Sequence, residues 1–111
     1  MRSILLYLLL AISAPSFADN EKAQKYLREA EYYTKKAEGH ERDAAYYTKK
    51  AEGYLRQADY YLRKNDSSRA RTYSIWANEE SEKARLRMKW AQDARDKARL
   101  RMKWAENEMK K

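Results

Sequence analysis

The chain has 111 residues and carries 25 Lys and Arg against 17 Asp and Glu, a formal net charge of +8. That length holds one domain, and two Gly with one Pro are too few for a loop-rich sandwich, a barrel or a doubly wound sheet. With no Cys there is no disulfide framework, thiolate metal site or lipid-bearing cysteine, and a single His excludes catalysis by paired imidazoles.

In chain order, Met1-Arg2 gives a positive start and Ile4 to Ile12 an apolar run. Ser13-Ala14-Pro15-Ser16-Phe17-Ala18 then breaks the helix and offers small residues at Ser16 and Ala18. This is the pattern of a secretory signal peptide over residues 1–18, cleaved after Ala18. The run is too short to cross a bilayer core, which needs about 20 apolar residues. The expected product is an exported protein, periplasmic or secreted.

Residues 19–111 are repetitive. AEYYTKKAEG at Ala30–Gly39 returns fourteen residues later as AAYYTKKAEG at Ala44–Gly53, and a decayed copy, ADYYLRKND, starts at Ala58. Further on, KARLRMKWA at Lys83–Ala91 recurs unchanged at Lys97–Ala105, again at a spacing of fourteen. Fourteen is two heptads, the bookkeeping of packed helices. Ala23, Ala30, Ala37, Ala44, Ala51 and Ala58 are each seven apart, as are Ala70, Ala77, Ala84, Ala91, Ala98 and Ala105. Tyr26, Tyr33, His40, Tyr47, Tyr54 and Tyr61 follow the first series at a distance of three. A small/large seam of this kind marks a helix face that packs closely on another helix.

The two alanine series are out of phase across Asn65-Asp66-Ser67-Ser68. Asn tolerates the left-handed conformation that ends a helix, and Asp and Ser cap the start of the next. The expected fold class is therefore all-α: a long antiparallel helical hairpin, an alanine-rich heptad coiled coil. Helix 1 spans about 20–64, the turn 65–68 and helix 2 about 68–110, together one hairpin domain over 19–111. A single long helix in a parallel oligomer is the alternative. Folding back at the turn pairs Ala58 with Ala77, Ala51 with Ala84, Ala44 with Ala91, Ala37 with Ala98 and Ala30 with Ala105. The same register places Trp76 near Tyr60 and Tyr61, Trp90 near Tyr46 and Tyr47, and Trp104 near Tyr32 and Tyr33.

No constellation for catalysis, cofactor or metal binding emerges. His40 has neither a second His nor a Cys beside it, and Met88, Met102 and Met109 lie too far apart to share one soft ion. The carboxylates have no concave site around them and read as partners of Lys and Arg. What remains is surface. Helix 2 has an apolar arc wider than one seam requires, which implies a second contact. That contact is self-association as a dimer or four-helix bundle, a protein partner, or an envelope surface. Candidate interaction residues are Tyr32, Tyr46, Tyr60, Trp76, Trp90 and Trp104 with Arg85, Arg87, Arg99 and Arg101. The basic excess lies mostly in residues 65–111, but acids interrupt it, so nucleic acid is not the expected partner.

The heptad alanines resemble, in architecture alone, those of small bacterial envelope coiled coils such as the murein lipoprotein family; the lipid-bearing Cys of that family is missing. The expected function is non-enzymatic: a structural or protein-interaction module of the cell envelope. The alternative is a basic amphipathic protein that binds anionic envelope polymers, lipopolysaccharide or a membrane surface.

Overall fold

A computed structural model describes residues 20–111. The signal peptide expected over residues 1–18 lies outside the described residues. The rest is all-helical: α1 (Glu21–Arg63) and α2 (Ser67–Met109), 43 residues each, form a helical hairpin. Both are rich in Ala, Glu, Lys and Arg, strong helix formers.

Side chains define both helix starts. Asn20 caps α1, its Oδ1 accepting from the Ala23 N–H at 3.0 Å. Asp66 caps α2 in the same way, accepting from the Arg69 N–H at 3.1 Å. Between the helices, Asn65 takes φ 60°. The Asp66 N–H donates to the Tyr61 carbonyl at 2.8 Å and the Asn65 N–H to the Leu62 carbonyl at 3.1 Å. These two bonds close a Schellman turn, which satisfies carbonyls that the end of α1 would otherwise leave open. Asp66 is at once the residue after that turn and the cap of α2, so the reversal takes three residues.

The described residues divide into two compact units, one made of Gly39–Ala91 and the other of residues 20–38 with Gln92–Lys111. The buried apolar residues are alanines and Leu27. They include every alanine of the two seven-residue series: in the Gly39–Ala91 unit Ala44, Ala51, Ala58, Ala70, Ala77, Ala84 and Ala91, and in the other Ala23, Ala30, Ala37, Ala98 and Ala105. Ala94, outside both series, is buried as well.

The register differs from the one the sequence suggests. Trp76 meets Tyr54, not Tyr60 and Tyr61; Trp90 meets His40, not Tyr46 and Tyr47; Trp104 meets Tyr26, not Tyr32 and Tyr33. In each observed pair the residue numbers add to 130, twice the number of Asn65. The expected alanine pairs add to 135, which centres the reversal beyond Ser67. The cause is the turn. Because Asp66 serves both helices, the reversal is shorter than the 65–68 segment expected and α2 starts at Ser67. Ala105 accordingly clusters with Ala23 and Leu27 rather than standing opposite Ala30.

Candidate interaction surface

In the Gly39–Ala91 unit one flank carries a cross-helix ladder. Tyr54 and Trp76 meet edge to face at 5.7 Å between ring centroids, and His40 and Trp90 at 5.6 Å. Alternating with these, Arg69 lies over Tyr61 at 5.5 Å and Lys83 over Tyr47 at 5.6 Å. Ion pairs fill the levels between: Lys50 with Glu80 at 3.9 Å and Arg87 with Asp43 at 3.4 Å. Arg87 also covers Trp90 at 4.9 Å. A guanidinium between a carboxylate and an indole face satisfies both its charge and its flat surface.

The other unit repeats the scheme. Tyr26 and Trp104 meet edge to face at 5.5 Å, and Lys97 lies over Tyr33 at 5.6 Å. Arg101 pairs with Glu29 at 3.6 Å and covers Trp104 at 4.4 Å. Lys22 reaches Glu108 at 3.9 Å. The fourteen-residue repeat is thereby explained. Each heptad adds one rung, and rungs alternate between ring on ring and cation on ring, so the chemistry recurs every second heptad.

Glu80 is the most buried acid of the ladder, 6% exposed. Its Oε1 accepts from Lys83 at 3.2 Å, while Oε2 has no hydrogen-bond partner. The hydrogen bond and charge of Glu80 push the Lys83 ammonium pKa up. At the end of the hairpin the Lys111 ammonium donates to Glu108 at 2.9 Å and holds that carboxyl below its usual range.

The ten candidate surface residues separate into two groups. Trp76, Trp90, Trp104, Arg87 and Arg101 belong to the ladder, although the three indoles keep about two-fifths of their surface exposed. Tyr32, Tyr46, Tyr60, Arg85 and Arg99 face solvent. Arg85 pairs with Glu82 at 2.8 Å, which raises its pKa through that hydrogen bond and charge, and Arg99 pairs with Asp96 at 3.6 Å. The three tyrosines are 52–60% exposed. Each packs edge to face against the next residue of its own helix (Tyr33, Tyr47 or Tyr61) and carries a lysine four residues on: Lys36, Lys50 or Lys64, 5.7–5.9 Å from the ring centroid.

Between Tyr46 and Tyr60 on this face stands Gly53. A Cβ added there would meet only the Arg56 guanidinium, at 3.9 Å, an ordinary contact. Nothing inside the hairpin requires a glycine at that position, and in a helix interior it costs about 0.5–1 kcal/mol relative to alanine. A shallow open groove beside it is lined by Lys50, Gly53, Tyr54, Gln57 and Tyr73.

Among the described residues, no group of three or more His, Asp or Glu could hold a metal ion, and no helix is long and apolar enough to cross a membrane. Met88 is exposed, while Met102 and Met109 pack against the Ala23–Leu27–Ala105 cluster. His40 stands in the ladder.

Sequence reading missed the ionic rungs. Their signal was present as two complementary columns: Lys22, Glu29, Lys36, Asp43, Lys50 on α1 and Glu108, Arg101, Ala94, Arg87, Glu80 on α2. Taken in this antiparallel order, the facing residues are of opposite sign wherever both positions are charged. Comparison with family models, with curated proteins and with solved structures gives no match.

Proposed function

We propose that this chain is an exported, non-enzymatic structural or protein-interaction module of the cell envelope. Its hairpin is an alanine-seamed coiled coil that holds a solvent-facing row of tyrosines. The observation that carries this reading is Gly53 between Tyr46 and Tyr60. A helix that forgoes alanine where alanine would fit keeps open space between two exposed aromatic rings, and the adjacent groove continues that space. Tyrosines held rigid by neighbouring rings and lysines suit a protein partner, because they offer large contact area at low entropic cost.

The second reading, binding of an anionic envelope polymer or lipid, draws on Lys36, Lys50 and Lys64 over these rings and on the exposed Arg85 and Arg99. One experiment separates the two. A photo-crosslinking side chain is placed at Tyr46 or Tyr60, with buried Thr34 as control, in cells expressing the full chain. The module reading expects a discrete crosslinked protein from positions 46 and 60 that persists at moderate salt, and an amino terminus at Asp19 by mass spectrometry. Absence of any protein product, with retention on anionic vesicles that fails in salt and in Arg85→Ala/Arg99→Ala, would establish the polymer reading instead.

A further inference from the structure

The flank of the hairpin away from the ladder differs between the two units. Leu27, Leu55 and Leu62 stand at whole-heptad intervals on α1, and Met88, Met102 and Met109 do so on α2. In the unit that contains Leu27 these residues are covered: Leu27 is buried against Ala23 and Ala105, with Met102 and Met109 packed on the cluster. In the Gly39–Ala91 unit they are not: Leu55 is 53%, Leu62 59% and Met88 51% exposed. The sequence supplies the reason. In that unit the α2 column that would cover the leucines reads Ser67, Ser74 and Ser81, all exposed and all too small to reach across.

Charge on this flank is sorted by helix. Three residues before Leu55 and Leu62 stand Glu52 and Asp59; three residues before Ser74 and Met88 stand Arg71 and Arg85. Residues three apart share a helix face, so the exposed leucines are edged by acids, and Ser74 and Met88 by arginines, with the neutral Asn78 at the same place before Ser81. Two of these charges sit in exposed local pairs, Asp59 with Arg63 and Arg85 with Glu82, which contribute little and exchange readily.

We infer that this flank of the Gly39–Ala91 unit docks a second copy of the chain about a two-fold axis. In that arrangement α1 of one copy lies antiparallel on α2 of the other. Leucines of each copy fill the space over the serines of its partner, and the acidic edge of each meets the basic edge of the other, as an isologous interface requires. The inference rests on the reading of the hairpin as an interaction module. It uses a different face from Tyr46 and Tyr60, so a tyrosine crosslink to another protein and the copy-to-copy contact stand or fall separately.

The test is a charge swap read by sedimentation equilibrium at low ionic strength, on protein purified from cells expressing the full chain. The unaltered protein is expected to be a dimer. Asp59→Arg alone sets two basic edges against each other and Arg71→Asp two acidic ones. Each should weaken the dimer by about tenfold or more, and mixing the two variants should restore it, because both edges then match. A contact within one chain is not repaired by mixing, so restoration distinguishes an interface from a folding effect. Leu62→Gln, at an exposed position, gives an independent reading: loss of the dimer with unchanged helicity. A protein that stays monomeric throughout, a dimer that both variants and Leu62→Gln leave intact, or a failure of mixing to restore association would overturn the inference.

Discussion

Trp90 packs edge-on against His40, with ring centroids 5.6 Å apart and planes at 61°. The same relation joins Trp76 to Tyr54 at 5.7 Å and 63°, and Trp104 to Tyr26 at 5.5 Å and 66°. His40 is the odd member of its column, a smaller ring with polar edges where every other level has tyrosine. His40→Tyr should therefore stabilise the hairpin, by about 0.5–1 kcal/mol if the new ring adopts the geometry of its neighbours. His40→Ala should destabilise it by a similar amount. Thermal unfolding followed by circular dichroism checks both; a lower melting temperature for His40→Tyr would mean that the three levels are not equivalent.

Gly39 and Gly53 offer a second gain in stability. A Cβ at either position meets only an arginine guanidinium, at 3.8 Å or 3.9 Å. Gly39→Ala and Gly53→Ala should each stabilise by about 0.5–1 kcal/mol, chiefly by restricting the unfolded chain. If Gly53 keeps space open between Tyr46 and Tyr60, Gly53→Ala should also lower the crosslinking yield from those positions while raising the melting temperature. Gain of stability with loss of contact is the signature of a residue retained for its surface.

The helical hairpin was legible from the seven-residue alanine interval and from the break at Asn65-Asp66, because both report backbone geometry directly. The register was not. It depends on how many residues the reversal consumes, and Asp66 serves two helices at once, which no spacing rule shows. Arg87 and Arg101 were legible as basic surface only. Their role in the ladder depends on Asp43 and Glu29 more than forty residues away, and complementary columns on separate helices emerge only when the register is known.

Ala91, 1% exposed, tests how closely the helices approach in the Gly39–Ala91 unit. Ala91→Leu adds three carbons where there is no room and should cost about 1–3 kcal/mol. Ala45→Leu on the exposed side of α1 should change stability by less than about 0.5 kcal/mol. Urea unfolding of the pair separates overpacking from any general effect of a leucine in a helix. Equal midpoints for the two variants would show that the buried alanines tolerate larger side chains.

Glu108 gives the hairpin end a pH dependence. The hydrogen bond from Lys111 lowers its pKa; burial opposes the shift, and the charges of Lys111 and Lys22 reinforce it. A carboxyl whose folded pKa lies below its ordinary value of 4.5 favours the folded state when ionised. That contribution is complete above pH about 4.5 and is lost as pH falls through the folded value. The Asn20 side-chain amide, which donates to the Glu108 carbonyl at 3.0 Å, is a local reporter. Its NMR signal should be sharp at neutral pH and broaden in acid, and Glu108→Gln should flatten the dependence. An acid transition unchanged in that variant would assign it to another carboxylate.

Asn65 carries the reversal itself. Its φ of 60° lies in the left-handed region, where a Cβ crowds the carbonyl and only Gly, Asn and Asp are at ease. Asn65→Ala should cost about 1 kcal/mol, whereas Asn65→Gly should be neutral or slightly stabilising. Because the Asn65 and Asp66 N–H groups close the Schellman turn onto Leu62 and Tyr61, a substitution that opens the turn also releases the register. The cost should therefore appear in two places: in the melting temperature, and in the contact between Tyr61 and Tyr73, whose rings stack at 5.5 Å with planes 6° apart. Near-ultraviolet circular dichroism should weaken for Asn65→Ala and stay unchanged for Asn65→Gly. The reverse order would mean that the hairpin's register is set by the ladder and not by the turn.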